Sequence, residues 1–158
     1  MKTGGYITIE EISTDELADF LEIGMGCRQF GVDYDDNDYL DAVAKGVCCD
    51  EKYTSNICAK ILLSGGKIKI VDLDCEGDSY GELDRYINED EEVEYYVTLE
   101  TIKSGLERAL NGTYKVSSPD EKANVVRSAR YIVEGDDYDC YDVYLVFQTI
   151  LFNEIIYG

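Results

Sequence analysis

The chain has 158 residues, with 34 Asp and Glu against 14 Lys and Arg, a formal net charge of −20 and no histidine. That length suits a single domain with a real core, and a 45% hydrophobic composition excludes a disordered acidic tail. The charge opposes direct contact with nucleic-acid phosphates or anionic lipid, and no apolar run approaches the roughly 20 residues that a bilayer requires, so neither nucleic acid nor membrane is an expected partner.

Tyr6, Thr8 and Glu10 alternate with Ile7 and Ile9, which predicts a short first strand. Ser13-Thr14-Asp15-Glu16 is a capping box, and Leu17, Phe20 and Leu21 follow at helical spacing until Gly24 or Gly26. A second helix opens near Asn37 or Asp38 and places Leu40, Val43, Ala44 and Val47 on one face. Ile57, Ala59, Ile61 and Leu63 alternate, Ser64-Gly65-Gly66 turns the chain, and Ile68 and Ile70 alternate with Lys67 and Lys69. This predicts a central β-hairpin over about 57–73, because a two-glycine turn supplies positive φ. Val93, Tyr95 and Val97 predict a further strand.

From Thr98 the period turns helical: Leu99, Ile102, Leu106 and Leu110 share a face, and Gly112 stands where a C-terminal cap belongs. Ser118-Pro119-Asp120-Glu121 combines an N-cap, a first-turn proline and a capping-box Glu, opening a helix through Val125, Val126, Ala129, Ile132 and Val133 to Gly135. The last helix starts in the Asp136–Asp139 cluster, whose carboxylates suit the positive end of a helix dipole, and runs to Ile155. It is apolar nearly all round, so it is either the central buried helix or half of a homodimer interface. Strands followed by helices predict one α+β domain, a small antiparallel sheet with four to five helices.

The absence of histidine removes Ser-His-Asp and Cys-His catalysis. Neither a phosphate-binding loop nor a dinucleotide fingerprint is present; Gly24-Met25-Gly26 lacks a third glycine and reads as a helix end. Carboxylates are so abundant that none stands out as an acid/base pair, so a non-enzymatic protein without cofactor is expected. Asp72, Asp74, Glu76 and Gly77 match the start of a calcium loop, but position twelve is Leu83, with Glu82 one short, which leaves a weak candidate. Asp33, Asp35 and Asn37 begin a second such run, with Asp38 where glycine is needed and Ala44 where Glu is needed. The start, Met1-Lys2-Thr3-Gly4-Gly5-Tyr6, is no secretory signal, so a cytoplasmic location is expected. There Cys27, Cys48, Cys49, Cys58, Cys75 and Cys140 read as reduced thiols.

The acids are bunched as Asp33, Asp35, Asp36 and Asp38; Asp72, Asp74, Glu76 and Asp78; Glu89, Asp90, Glu91, Glu92 and Glu94; and Asp136, Asp137, Asp139 and Asp142. Many of the fourteen tyrosines lie among them, including Tyr34, Tyr39, Tyr86, Tyr95, Tyr96, Tyr138 and Tyr141. Tyrosine is enriched at interface hot spots. Duplex DNA shows one negative charge per roughly 1.7 Å, and a folded acidic surface can compete for the same Lys/Arg channel. The candidate partner-binding residues are Asp33, Tyr34, Asp35, Asp36 and Asp38; Glu89, Asp90, Glu91, Glu92, Glu94 and Tyr95; and Asp136, Asp137, Tyr138 and Asp139.

In size, charge and lack of catalytic motifs the chain resembles the small acidic inhibitors of phages and mobile elements, the anti-restriction and anti-CRISPR proteins. The resemblance is one of character over the whole chain and transfers no residue. It implies a DNA mimic acting in the cytoplasm of a bacterial host cell on a basic nucleic-acid-binding protein, a Cas effector or restriction enzyme. The alternative is an acidic adaptor or regulatory module for another basic protein, and a third reading is a calcium binder or a carboxylate-based hydrolase.

Overall fold

The computed structural model describes residues 6–26, 29–47, 53–74 and 83–157. The expected first strand is not one. Residues 6–12 form neither helix nor strand, and the backbone groups of Ile7, Ile9 and Glu10 are partnered by side chains of helix α4 (Leu99–Asn111). Asn111 brackets Ile7, accepting from its N–H at 2.7 Å and donating to its carbonyl at 2.8 Å, and Glu107 accepts from the Ile9 N–H at 2.8 Å. Alternation here marks a segment tied to a helix by side-chain hydrogen bonds rather than a sheet strand. Helix α1 (Thr14–Met25) starts with the expected reciprocal box, Glu16 N–H to Ser13 Oγ at 3.2 Å and Ser13 N–H to Glu16 Oε1 at 3.1 Å.

Strand β1 (Phe30–Asp33) leads into helix α2 (Asp36–Ala44), close to the expected position. The predicted hairpin over 57–73 is overturned in its first arm: Thr54–Leu63 is helix α3, with Ile57, Cys58, Ala59, Ile61 and Leu62 all buried. A short apolar run buried on most sides carries no period that separates strand from helix. The glycines close that helix in a Schellman motif, with Gly65 N–H on Leu62 O, Gly66 N–H on Ile61 O, and Gly65 at φ 92°. Positive φ is demanded by both a hairpin turn and a helix terminus, so Gly-Gly fits either.

The second arm is strand β2 (Lys67–Asp72), which pairs antiparallel with β1 and with β4 (Val93–Thr98); β3 (Arg85–Ile87) adds outside β4. The antiparallel sheet thus has the order β1-β2-β4-β3. With six helices among the described residues, the expected α+β class holds, with more helix than predicted. Ile68, Ile70, Tyr95 and Val97 point inward and are fully buried. The register places Asp33 opposite Lys69, Lys69 opposite Tyr96, Val71 opposite Glu94 and Glu94 opposite Tyr86, which gathers those side chains on the outer face.

Helix α4 opens on a Thr98 cap and closes on Gly112 at φ 64°, the expected C-terminal cap. Helix α5 (Pro119–Glu134) is capped by Ser118, but the Glu121 carboxylate does not close the box. It accepts instead from Tyr114 O–H at 2.9 Å and from the backbone N–H and hydroxyl of Ser117. Helix α6 (Cys140–Leu151) begins with a box between Asp139 and Asp142 and stops four residues before the expected Ile155. Its residues Leu145–Leu151 are buried against α1, α4 and α5, so α6 is the central helix and its apolar surface is consumed inside the monomer. The homodimer reading of this helix loses its surface for that reason. Phe147 carries the junction, edge-on to Phe20 at 5.4 Å and to Phe30 at 5.7 Å.

After α6 the chain folds back. Gln148, fully buried, accepts from the N–H groups of Ile156 at 2.8 Å and Tyr157 at 2.7 Å and donates to the Tyr157 carbonyl at 3.1 Å. Tyr157 then reaches Asp72 at the end of β2, giving its hydroxyl to the carboxylate at 2.8 and 3.0 Å.

Candidate functional site

Two acidic regions that are distant in sequence meet on the outer face of the sheet. Lys69 Nζ lies 3.0 Å from Asp35 Oδ1 and 3.7 Å from Glu94 Oε1. Tyr96 donates to Asp35 Oδ2 at 2.8 Å and its oxygen lies 2.8 Å from that of Tyr86, while Asn88 donates to Glu94 at 3.1 Å. Lys67 sits 5.1 Å over the Tyr96 ring. Burial pushes the Asp35 carboxyl up, but the hydrogen bonds from Tyr96 and Lys69 outweigh it and hold Asp35 below the ordinary carboxylate range. Glu94 likewise ends below its ordinary value, burial being opposed by hydrogen bonds from Tyr86 and Asn88 and by the Lys69 charge. Lys69 is pushed up, because its two carboxylate partners more than offset its burial. Tyr96 is raised by burial first and then by its bonds to Tyr86 and Asp35, so it stays a neutral donor. This network is internally compensated.

That arrangement divides the predicted partner-binding residues. Tyr95 is a core residue, fully buried and edge-on to Phe152 at 5.7 Å, and it is withdrawn from any contact surface. Glu94 is also buried, whereas the Asp35 side chain is 39% exposed and already bonded to Lys69 and Tyr96. Glu89, Asp90 and Glu91 remain exposed on the β3–β4 turn. Asn88 organises that turn by accepting from the N–H groups of Asp90 at 2.9 Å and Glu92 at 3.0 Å. Glu92 is half-buried and receives the Asn88 amide. Asp33 and Asp36 are exposed at the entry to α2, Asp38 is half-buried in its first turn, and Tyr34 is half-buried beside Tyr39 at 5.8 Å.

The fourth cluster does not join the other two. Asp136, Asp137 and Asp139 are exposed in the loop from α5 to α6, beside α1. Asp142 is occupied structurally, taking the Ser128 hydroxyl at 2.6 Å. Between this loop, α1, α4, α5 and the segment before α1 lies a groove of about 370 Å³. Its floor is Ile12, Ile23, Ile102, Leu106 and Ile132, and among the described residues every charged side chain on its walls is a carboxylate: Glu11, Glu16, Asp19, Asp136 and Asp137. Tyr138 stands in the wall; burial above all, and the charges of Asp19 and Glu16 after it, push its hydroxyl up to about 12.

The α1 acids were not singled out as candidates. Asp15, Glu16, Asp19 and Glu22 do not form a dense run, yet they lie on the side of α1 away from the buried Leu17, Phe20, Leu21 and Gly24. Helical spacing carries that signal, and a run count misses it.

For the calcium candidate, Asp72 is fully buried with its carboxylate taken by Tyr157, by Gln29 Nε2 at 3.1 Å and by the Asp74 N–H at 3.1 Å. Glu76 and Gly77 lie outside the described residues. Among the described residues no three Asp, Glu or Cys side chains converge as metal ligands, and no helix is long and apolar enough to cross a membrane. Of the cysteines, Cys58 is buried and Cys140 half-buried; Cys27, Cys48, Cys49 and Cys75 lie outside the described residues. Comparison with protein-family models, with curated proteins and with solved structures returned no match, so a functional reading rests on this geometry.

Proposed function

We propose that the protein acts without catalysis, by presenting its acidic surface to the nucleic-acid channel of a basic partner, a host defence nuclease of the restriction or CRISPR type. The observation that carries this reading is the uncompensated acid around α1 and the α5–α6 loop. Asp15, Glu16, Asp19, Glu22, Asp136, Asp137 and Asp139 are all exposed, and none takes part in an ion pair among the described residues. The β3–β4 turn adds Glu89, Asp90 and Glu91. Such rows repel one another in the free protein and are relieved when a cationic channel covers them.

The second reading is an acidic adaptor for a basic protein that binds no nucleic acid. The apolar groove favours it, since charge mimicry alone needs no apolar floor. The partner is to be captured from bacterial lysate on the immobilised protein and its affinity measured against three charge-reversed variants. These carry Lys at the exposed acids of residues 33–36, of residues 89–91, and of residues 136–139 with Glu16 and Asp19. Loss of binding in at least one, with circular dichroism unchanged, is expected; unchanged affinity in all three would sink the proposal.

A further inference from the structure

Nothing in charge mimicry requires an apolar floor inside an acidic rim, yet the groove beside α1 is built that way. Its floor comes from three helices and the segment before α1, with Ile12, Ile23, Ile102, Leu106, Ile132 and Val133 facing it. Val133 is 38% exposed. A volume of about 370 Å³ falls within the range of sites that bury a compact ligand or a few side chains. Among the described residues the wall carries Glu11, Glu16, Asp19, Asp136 and Asp137 and no Lys or Arg, so an anionic or neutral apolar occupant would leave those carboxylates unanswered. A second copy of the chain would set one acidic rim against another, at a net charge of −20 each.

We infer that this groove docks a basic amphipathic helix of the partner protein, seating its apolar side chains on the floor while flanking Lys and Arg residues meet the carboxylate rim. This rests on the reading that the partner is basic and adds an apolar anchor to it. Anchors spaced i, i+3, i+4 and i+7 would face the floor together, and the cationic residues beside them would reach Glu16 and Asp19 of α1 and Asp136 and Asp137 of the α5–α6 loop. Tyr138 lines the same groove, and burial with the charges of Asp19 and Glu16 keeps its hydroxyl protonated.

The test uses two synthetic peptides of about 15 residues with identical Leu, Lys and single-Trp composition, one with leucines at helical spacing and one scrambled so that no face forms. The protein has no tryptophan, so the indole of the peptide reports binding by fluorescence. At about 0.15 M salt the amphipathic peptide is expected to bind at least about tenfold tighter than the scrambled one. Val133→Phe, which fills the groove at an exposed position, should erase that preference. A variant combining Glu16→Gln, Asp19→Asn, Asp136→Asn and Asp137→Asn should weaken both peptides and flatten the salt dependence. Equal affinities for the two peptides, or a Val133→Phe variant that keeps the preference, would overturn the groove inference and leave charge-driven binding intact. Peptide binding that survives neutralisation unchanged would remove this face from the basic-partner reading as well. A concentration-dependent dimer abolished by Val133→Phe would assign the groove to a second copy and overturn the inference too.

Discussion

Gly105 tests whether the helices pack as described. It lies in α4 where α6 crosses, and a Cβ built on it would sit 2.4 Å from Ile150 Cγ1 and 2.5 Å from Ile150 Cα. Carbon atoms in contact prefer about 3.5–4.0 Å, so Gly105→Ala forces an overlap of about 1 Å. One of the two opposing atoms is backbone and cannot rotate away. Thr149 also donates to the Gly105 carbonyl at 3.0 Å across the same crossing, so relief by sliding would strain a buried hydrogen bond. Alanine brings about 1 kcal/mol of helix propensity in compensation. Against it, overpacking costs about 1–3 kcal/mol, and a gap of about 1 Å along the seam forfeits up to about half of each dispersion contact. Strain wins, and the net loss should be about 1–3 kcal/mol. For a chain of this length that is a fall in Tm of roughly 2–12 °C, read by far-ultraviolet circular dichroism. Gly46→Ala is the control: φ is 74° with no atom within 4 Å, so only backbone strain of about 1–2 kcal/mol applies. A Gly105→Ala variant as stable as the parent would refute the close crossing, and with it the placement of Ile102 and Leu106 on the groove floor.

Three further outcomes follow from the polar interior. Gln148→Leu strands the N–H groups of Ile156 and Tyr157, and at about 1–3 kcal/mol for each orphan the loss should be about 2–6 kcal/mol by urea unfolding; a loss under about 1 kcal/mol would show that the C-terminal strap is not held there. Tyr157→Phe keeps the ring but removes the hydroxyl from the buried Asp72 carboxylate, and should cost about 1.5–3 kcal/mol, the range of a charge-assisted bond; a neutral result would mean that Gln29 and the Asp74 N–H suffice. Lys69→Met should destabilise the fold with a defined pH signature. The low-lying Asp35 and Glu94 carboxyls stabilise above their ordinary values of 3.8 and 4.5 and lose that contribution as pH falls through their folded values. The raised Lys69 contributes below 10.5 and loses it as pH rises through its own higher folded value. The gap between variant and parent should therefore be full from about pH 5 to about pH 9 and shrink at pH 3; an equal gap at pH 3 and pH 7 would contradict the ion-pair network.

Caps were the most legible features of the chain. Ser13 and Ser118 cap helices as their sequences announce, because a hydroxyl before an apolar period is a local signal that needs no tertiary information, and Thr98 and Asp139 cap two more. Segments 6–12 and 57–63 were misread for a shared reason: alternation shows which side chains face inward, but the identity of the backbone partner is a tertiary fact. For 6–12 that partner is Asn111 and Glu107, roughly a hundred residues away. The site divided in the same way. Dense acidic runs predicted exposed carboxylates correctly where they fall in turns, as at Glu89–Glu91 and Asp136–Asp139. They failed where the strand period turned a residue inward, as at Tyr95, or where sheet register brought a lysine alongside, as at Asp35 and Glu94. The acids of α1 needed a helical wheel.

If the acidic surface occupies a nucleic-acid channel, protein and nucleic acid compete for the partner. With the captured partner in hand, the protein is titrated into the preformed complex of that partner with duplex DNA or guide RNA, and the species are counted by native mass spectrometry. The account predicts that nucleic acid is released as the protein binds, with no ternary species, and that lysines at Glu16, Asp19, Asp136 and Asp137 abolish the release. A stable ternary complex of protein, partner and nucleic acid would contradict it.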